Sequence, residues 1–432
     1  MFFRRQQPDS TQKLNICLVS THFPLANTAG EISFLWPIAR GLVRQGHTVT
    51  VLAWRNKRRI DFVERDGVKA MFLGESIGAV LENFPQMVLK KFQQLHQQTP
   101  FHLVHSLDAT GREIARRRKD LGVAVVYDVD ATHMAQMYSI LGMSQESLGS
   151  LIKMSVAVAY NFLKSYYKYD RRLLKTADAV FVHSPQQRVV LERYYVYPDQ
   201  RIFTVPFGIE VEDLSPREKS AELAKKLNLP TNAQTVVTVT DMTEFGEMKN
   251  LLWAFERVAI KKPLARLIIV GHGLLKKEIE FEVLHLALGS RVIFAGDVAS
   301  SALTDYIALS DIFVNLSARS SGVEQSLLEA MAQKKVIVGS EVSPLANVVE
   351  DGVDGFLIRP ADTFTLAELL LQVFNGQVSA STMGEAARQK VLNLFDSEKM
   401  LAQTLLAYRQ ARSRFVTAHR PLFSLARPLR SQ

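Results

Sequence analysis

The sequence predicts an α/β protein built from two doubly wound, Rossmann-like domains. Three observations predict it. Short apolar runs suited to buried strands recur along the chain, with helical stretches between them. Units of strand, loop, helix and strand make the sheets parallel. The alternation breaks at Pro206-Phe207-Gly208-Ile209-Glu210, passes a polar stretch over 211–232 with Pro216 and Pro230, and starts again. A chain of 432 residues has room for two or three domains.

In order, the first half opens with the strand LNICLVS from Leu14, the loop THFPLANTAG, a helix near Glu31 to Gln45 and the strand TVTVLAW. Gly46 suits the residue after a helix end. Gly30 stands just before the helix, where backbone can approach a ligand closely, though a plain turn explains it as well. Further strands are expected at Val68–Leu73, Leu103–His105, Ala124–Asp130, Ala179–His183 and Arg201–Val205. In such sheets ligands sit at the carboxyl ends of strands. His105, Asp108, Asp128, Asp130 and His133 fall there and are cleft candidates, with capping or loop bridging as the structural alternative. The second half repeats the pattern in VVTVT, LIIVG, RVIFAG, IFVNL, KVIVG and GFLI.

Composition narrows the function classes. The chain is 47% hydrophobic with a net charge of +9. That excludes a disordered chain and directs attention to anionic partners. No zinc finger or RNA-recognition signature is present, so nucleic acid is not expected. No apolar run approaches a bilayer span, and MFFRRQQPDSTQK lacks the apolar core of a secretory signal. Cys17 is the one cysteine, so an internal disulfide is impossible and a cysteine-based zinc site is not expected. A cytoplasmic location follows as an expectation. Basic clusters at Arg55–Arg59, Arg116–Lys119 and Lys164–Lys175 read first as solvated faces. The segment 148–176 is basic and aromatic; it suits either a core helix with a wet face or a contact with an anionic membrane. Residues 416–432 read as a basic flexible tail.

The most informative stretch is 312–359. Ile312–Leu316 reads as a strand, Ser317–Gly322 as a polar loop, and a helix is expected from near Gly322, capped by Ser320 or Ser321. Val323, Leu327, Ala330 and Met331 form its apolar stripe, and Glu329 lies nearly opposite, away from the core. A strand, small-residue loop and helix make an anion site, because the first helical turn presents unpaired N–H groups and the dipole adds positive charge. A carboxylate further along would repel a phosphate but accept hydrogen bonds from sugar hydroxyls. A solvated surface glutamate is the equal alternative.

GVEQSLLEAMAQKKVIVGSEVSPLANVVEDGVDGFLI resembles the donor-site segment of retaining glycosyltransferases of family four, which have the GT-B fold: two Rossmann-like domains facing across a cleft. MKNLLWAFERVAIKKPLARLIIVGHG, the turn at 206–210 and FDSEKMLAQTLLAYRQA resemble other parts of that family. The resemblance implies domains at 1–208 and 209–395, with a closing helix at about 396–415 returning to the first. It implies an enzyme that transfers sugar from a nucleotide-sugar donor to a glycan or lipid-linked acceptor, without metal or other cofactor, at most peripheral to the inner membrane face. It places the donor on Gly30, Lys249, Gly271, Gly273, Ser321, Gly322, Val323 and Glu329. It assigns catalytic positions to Lys249, Asp130 and His133. Glu329 would grip ribose and Lys249 the diphosphate. The chain departs from the family pattern at four positions. Asp130 replaces a histidine, Asp241 or Met242 an arginine, and Ser321 and Asn347 replace glutamates. Arg319 is a candidate to restore the missing charge. These departures keep a second expectation open, a degenerate protein that binds a nucleotide-sugar without turning it over.

Overall fold

The computed structural model describes residues 12–21, 23, 35–54, 60–74, 83–129, 170–211, 214–316, 324–342 and 345–418. It contains two sheets. The first has eight strands, β1 (Asn15–Ser20), β2 (Thr48–Trp54), β3 (Phe62–Arg65), β4 (Val68–Leu73), β5 (Leu103–Ser106), β6 (Ala124–Asp128), β7 (Ala179–Val182) and β8 (Ile202–Thr204), in the order β3-β4-β2-β1-β5-β6-β7-β8. All pairs are parallel except β3–β4. The second has six parallel strands, β9 (Gln234–Val239), β10 (Ala265–Val270), β11 (Val292–Gly296), β12 (Ile312–Asn315), β13 (Val336–Ser340) and β14 (Phe356–Ile358), in the order β11-β10-β9-β12-β13-β14.

The described helices of eight residues or more are α1 (Leu35–Arg44), α2 (Phe84–Gln98), α3 (Pro185–Tyr194), α4 (Phe245–Lys261), α5 (Lys276–His285), α6 (Ser300–Ala308), α7 (Gln325–Ala332), α8 (Thr363–Phe374), α9 (Ala380–Leu394) and α10 (Ser397–Ala418). They cover both faces of each sheet, which is why the central strands are continuously apolar. Along β1, Ile16 and Leu18 pack with α1 and α10, while Cys17 and Val19 pack with α2. In the second sheet, Val237 and Phe313 face α6, α7 and α9, and Val236, Ile312 and Val314 face α4, α5 and α8.

The polypeptide crosses between the lobes twice. The outgoing crossing at 205–211 and the return at 395–397 pair with each other. Ile209 N–H donates to the Phe395 carbonyl at 2.8 Å, and Ser397 N–H donates to the Ile209 carbonyl at 2.9 Å. The return leads into α10, whose Leu401, Leu405, Tyr408 and Phe415 complete the core of the first lobe.

Two expectations are corrected. The first described helical residue after β12 is Gln325, and the N-cap position is Glu324, whose side chain makes no cap bond. The caps expected at Ser320 and Ser321 lie outside the described residues. Glu329 is also not turned away from a core. It is 5% exposed, and every residue of α7 from Ser326 to Ala332 is buried. A two-faced helix was expected; α7 is instead roofed by α6 and α9 on the side away from the sheet.

Candidate functional site

In the second sheet the connections run outward from β9 to β11 on one side and from β12 to β14 on the other. The reversal between β9 and β12 opens a crevice at their carboxyl ends, the place where such sheets take ligands. A small, partly open pocket lies there. Thr238 at the end of β9 and Thr240 just after it, Asn315 at the end of β12 and Leu316 just after it, and Glu247, Met248 and Leu251 from α4 line it, with Glu324 ahead of α7. Asn315 is buried and donates from Nδ2 to Glu324 Oε2 at 2.9 Å. The sequence reading missed Glu247, Asn315 and Glu324. Asn315 had a signal, as the polar residue in the otherwise apolar run IFVNL.

Glu329 stands in the second turn of α7. Its Oε1 accepts from Gln325 Nε2 at 2.8 Å, and its Oε2 is buried with no partner among the described residues. Burial raises its carboxyl pKa from 4.5 to about 7, with the Gln325 bond pulling the other way. Lys249 does not line the cavity. Its ammonium lies 4.5 Å from the centre of the Trp253 ring, a cation–π contact on the outer side of α4, and Trp253 Nε1 donates to Glu282 at 2.8 Å.

Gly271 and Gly273 are close-approach glycines, but the group approached is the chain itself. A Cβ at Gly271 would strike the Thr240 carbonyl oxygen, and one at Gly273 the Asp241 carbonyl oxygen. Gly271 also has φ +117°, which a side chain disfavours. These glycines let the loops after β9 and β10 lie backbone on backbone beside the crevice. Asp241 folds into its own loop, accepting from Thr243 Oγ1 at 2.9 Å. Asn347 sits in a 3-10 turn over Leu345–Asn347. Gly30, Asp130, His133, Arg319, Ser321, Gly322 and Val323 lie outside the described residues, as does residues 148–169 of the basic aromatic segment.

In the first lobe the sheet reverses between β1 and β5. There Asp108 accepts from the N–H and hydroxyl of Thr21, both at 2.6 Å, and from Thr110 N–H at 2.8 Å. Asp108 therefore takes the structural alternative, tying the two loops together. His105 and Asp128 are buried at the ends of adjacent strands, with His183 beside them. Among the described residues, no group of three or more His, Cys, Asp or Glu side chains is placed to hold a metal ion. No described helix is long and apolar enough to cross a membrane.

The two lobes and the switch-point crevice define a GT-B glycosyltransferase fold. The chain belongs to the group 1 glycosyltransferases of family-four type. The family model "Glycosyl transferases group 1" matches residues 219–390 and "Glycosyl transferase 4-like domain" matches 30–208. One relative is the N-acetyl-alpha-D-glucosaminyl L-malate synthase of Bacillus anthracis, 27% identical over 208 residues. That match covers 48% of this chain and only 53% of the relative. Another is the alpha-monoglucosyldiacylglycerol synthase of Streptococcus pneumoniae, 24% identical, with 78% of this chain and 73% of the relative covered. Among solved structures, Anabaena HepE in complex with UDP-glucose matches with a TM-score of 0.67 at 17% identity, over 91% of this chain and 99% of that one.

Proposed function

We propose that the protein is a retaining glycosyltransferase that moves a sugar from a nucleotide-sugar to a glycan or lipid-linked acceptor, in synthesis of a polysaccharide or cell-surface glycan. The observation that carries this reading is the switch-point crevice, followed in sequence by a helix holding a buried, half-satisfied carboxylate at Glu329. Burying a carboxylate with one oxygen unpaired is costly, and an incoming pair of ribose hydroxyls would remove that cost. The complex of HepE with UDP-glucose supports a nucleoside diphosphate donor. The glucosyldiacylglycerol synthase supports an acceptor of lipid class.

In this reading the start of α7 and the preceding Arg319, Ser321, Gly322 and Val323 meet the diphosphate, with Gly30 approaching from the first lobe. Charge builds on the departing diphosphate as the glycosidic bond breaks, and fixed donors and cations stabilise it. Lys249 supplies a cation once its side chain leaves Trp253. Asp130 and His133 serve the acceptor side. No metal is required.

A second reading is a nucleotide-sugar binder without turnover. It is favoured by the resting place of Lys249 over Trp253 and by the carboxylates of Glu247 and Glu324 on the cavity wall. Donor-dependent release of nucleoside diphosphate, screened across UDP-, GDP- and ADP-sugars, separates the two. Turnover that is lost in Glu329→Gln and Lys249→Ala supports the transferase. Thermal stabilisation by a nucleotide-sugar with no release of diphosphate supports the binder, and neither response overturns both readings.

A further inference from the structure

Gln325, Glu329 and Gln333 follow one another at four-residue spacing along α7 and its C-cap position, so their side chains share one face of the helix. Gln333 is committed elsewhere. Its Nε2 donates to the Ser215 carbonyl at 2.7 Å and its Oε1 accepts from Arg217 N–H at 2.8 Å, which fastens the end of α7 to the segment after the hinge. Ser326, one turn before Glu329, is fully buried, and its hydroxyl has no partner among the described residues. Among the described residues, Gln325 alone hydrogen-bonds the Glu329 side chain, from Nε2 to Oε1 at 2.8 Å.

That bond treats the two carboxylate oxygens differently. An ionised carboxylate only accepts, so the amide nitrogen of Gln325, and not its oxygen, faces Glu329. The bond holds Oε1 and fixes the plane of the carboxylate about its last torsion, which is otherwise broad. Oε2 is left buried with no hydrogen to accept. Burial favours the neutral acid, while the donated amide hydrogen favours the ionised form. Burial wins, and the carboxyl is raised to about 7. No charged side chain among the described residues contributes to that shift. In the neutral acid the proton is directed to Oε2, because a hydrogen already occupies Oε1.

We propose that Gln325 is a positioning residue for donor binding: by holding Oε1, it makes Oε2 of Glu329 the acceptor offered to the ribose hydroxyls of a nucleotide-sugar. The proposal rests on the reading of Glu329 as the ribose carboxylate, and it applies equally to a transferase and to a binder without turnover. An acceptor held in place before its ligand arrives loses less freedom on binding. A side chain of similar length without a donor would leave the carboxylate free to turn and its ionised form without support.

The test compares the full-length protein with Gln325→Met, which keeps the length of the side chain and cannot donate. Carbon-13 NMR of protein labelled at glutamate Cδ, with the Glu329 signal assigned through Glu329→Gln, follows the titration without ligand. Its midpoint should lie higher in Gln325→Met than in the unsubstituted protein, and an unmoved midpoint overturns the proposal. Isothermal titration calorimetry with UDP, GDP and ADP at pH 8 reads binding. For the diphosphate that binds, Gln325→Met should weaken affinity about tenfold, the low end for a hydrogen bond to a charged group. In a Glu329→Gln background the same substitution should change affinity by less than about twofold. Equal losses in the two backgrounds would show that Gln325 acts apart from Glu329, and would overturn the proposal. Binding of none of the three overturns the donor reading and the proposal with it; a shifted NMR midpoint separates that failure from a failure of the bond.

Discussion

Glu329 shows how one residue can set stability against binding. Its folded pKa, about 7, lies above the usual 4.5, so the folded protein holds that proton more tightly than the unfolded chain does. The resulting stabilisation is complete below about pH 4.5 and drains away as pH rises toward 7, where the native state must carry a buried charge. The span corresponds to roughly 3 kcal/mol. Glu329→Gln keeps the shape and removes the titration. Urea unfolding should find the variant close to the parent at pH 5 and more stable by up to about 3 kcal/mol at pH 8. A variant that is equally destabilised at both values would show that the carboxylate is satisfied in the native state. If the proposed ribose contact is made by the ionised form, nucleotide-sugar affinity should increase between pH 6 and 7.5 by up to about tenfold per unit. That dependence should disappear in Glu329→Gln, with weaker binding throughout. Isothermal titration calorimetry at several pH values reads both effects.

Elements differ in how much of them was legible. The central strands were, because β1, β2, β9, β10, β12 and β13 are apolar on both faces and turn signals bound them. β3 was not: its residues FVER are half polar and mostly exposed, with the pattern of a loop, and the strand exists because it pairs antiparallel with β4 at the sheet edge. α7 was legible as a helix but not in its surroundings. Periodicity reports which face meets the sheet; it does not report that α6 and α9 close over the other. The convergence of His105, Asp128 and His183 was hidden for a related reason. Each lies at a strand end that could be read from sequence, yet their meeting depends on β5, β6 and β7 being neighbours and on the tilt of each side chain. The loops after β9 and β10 carry a prediction at this scale. Gly271→Ala should be destabilising by about 2 kcal/mol or more, from both the forced φ and the collision with Thr240. Thermal melting measures it, and donor binding should fall with the fraction folded if the glycine acts only through the shape of the loop pair.

For the whole molecule, the decisive feature is that the chain leaves the first lobe and returns to it through one stitched hinge. Gly208 lies at its tightest point. Its N–H points at Met400 Sδ, 3.2 Å away, and a Cβ there would stand 2.8 Å from both the Asp396 carbonyl oxygen and Ser397 Cα. Both neighbours are backbone, so no side chain can swing aside to make room. Gly208→Ala must therefore separate the two crossings, weakening the Ile209–Phe395 and Ser397–Ile209 bonds and lifting the start of α10 from the first-lobe core. Overpacking of this kind costs about 1–3 kcal/mol. The loss should be uneven: amide exchange should accelerate at 208–211 and 396–401, while β9, β12 and α7 keep their protection. Small-angle scattering should show a larger radius of gyration, since lobes joined less firmly sample more open arrangements. A melting temperature and exchange pattern matching the unsubstituted protein would mean that the crossings can move apart at no cost, and that the lobes are held by contacts elsewhere, such as the ion pair between Arg40 of α1 and Glu210.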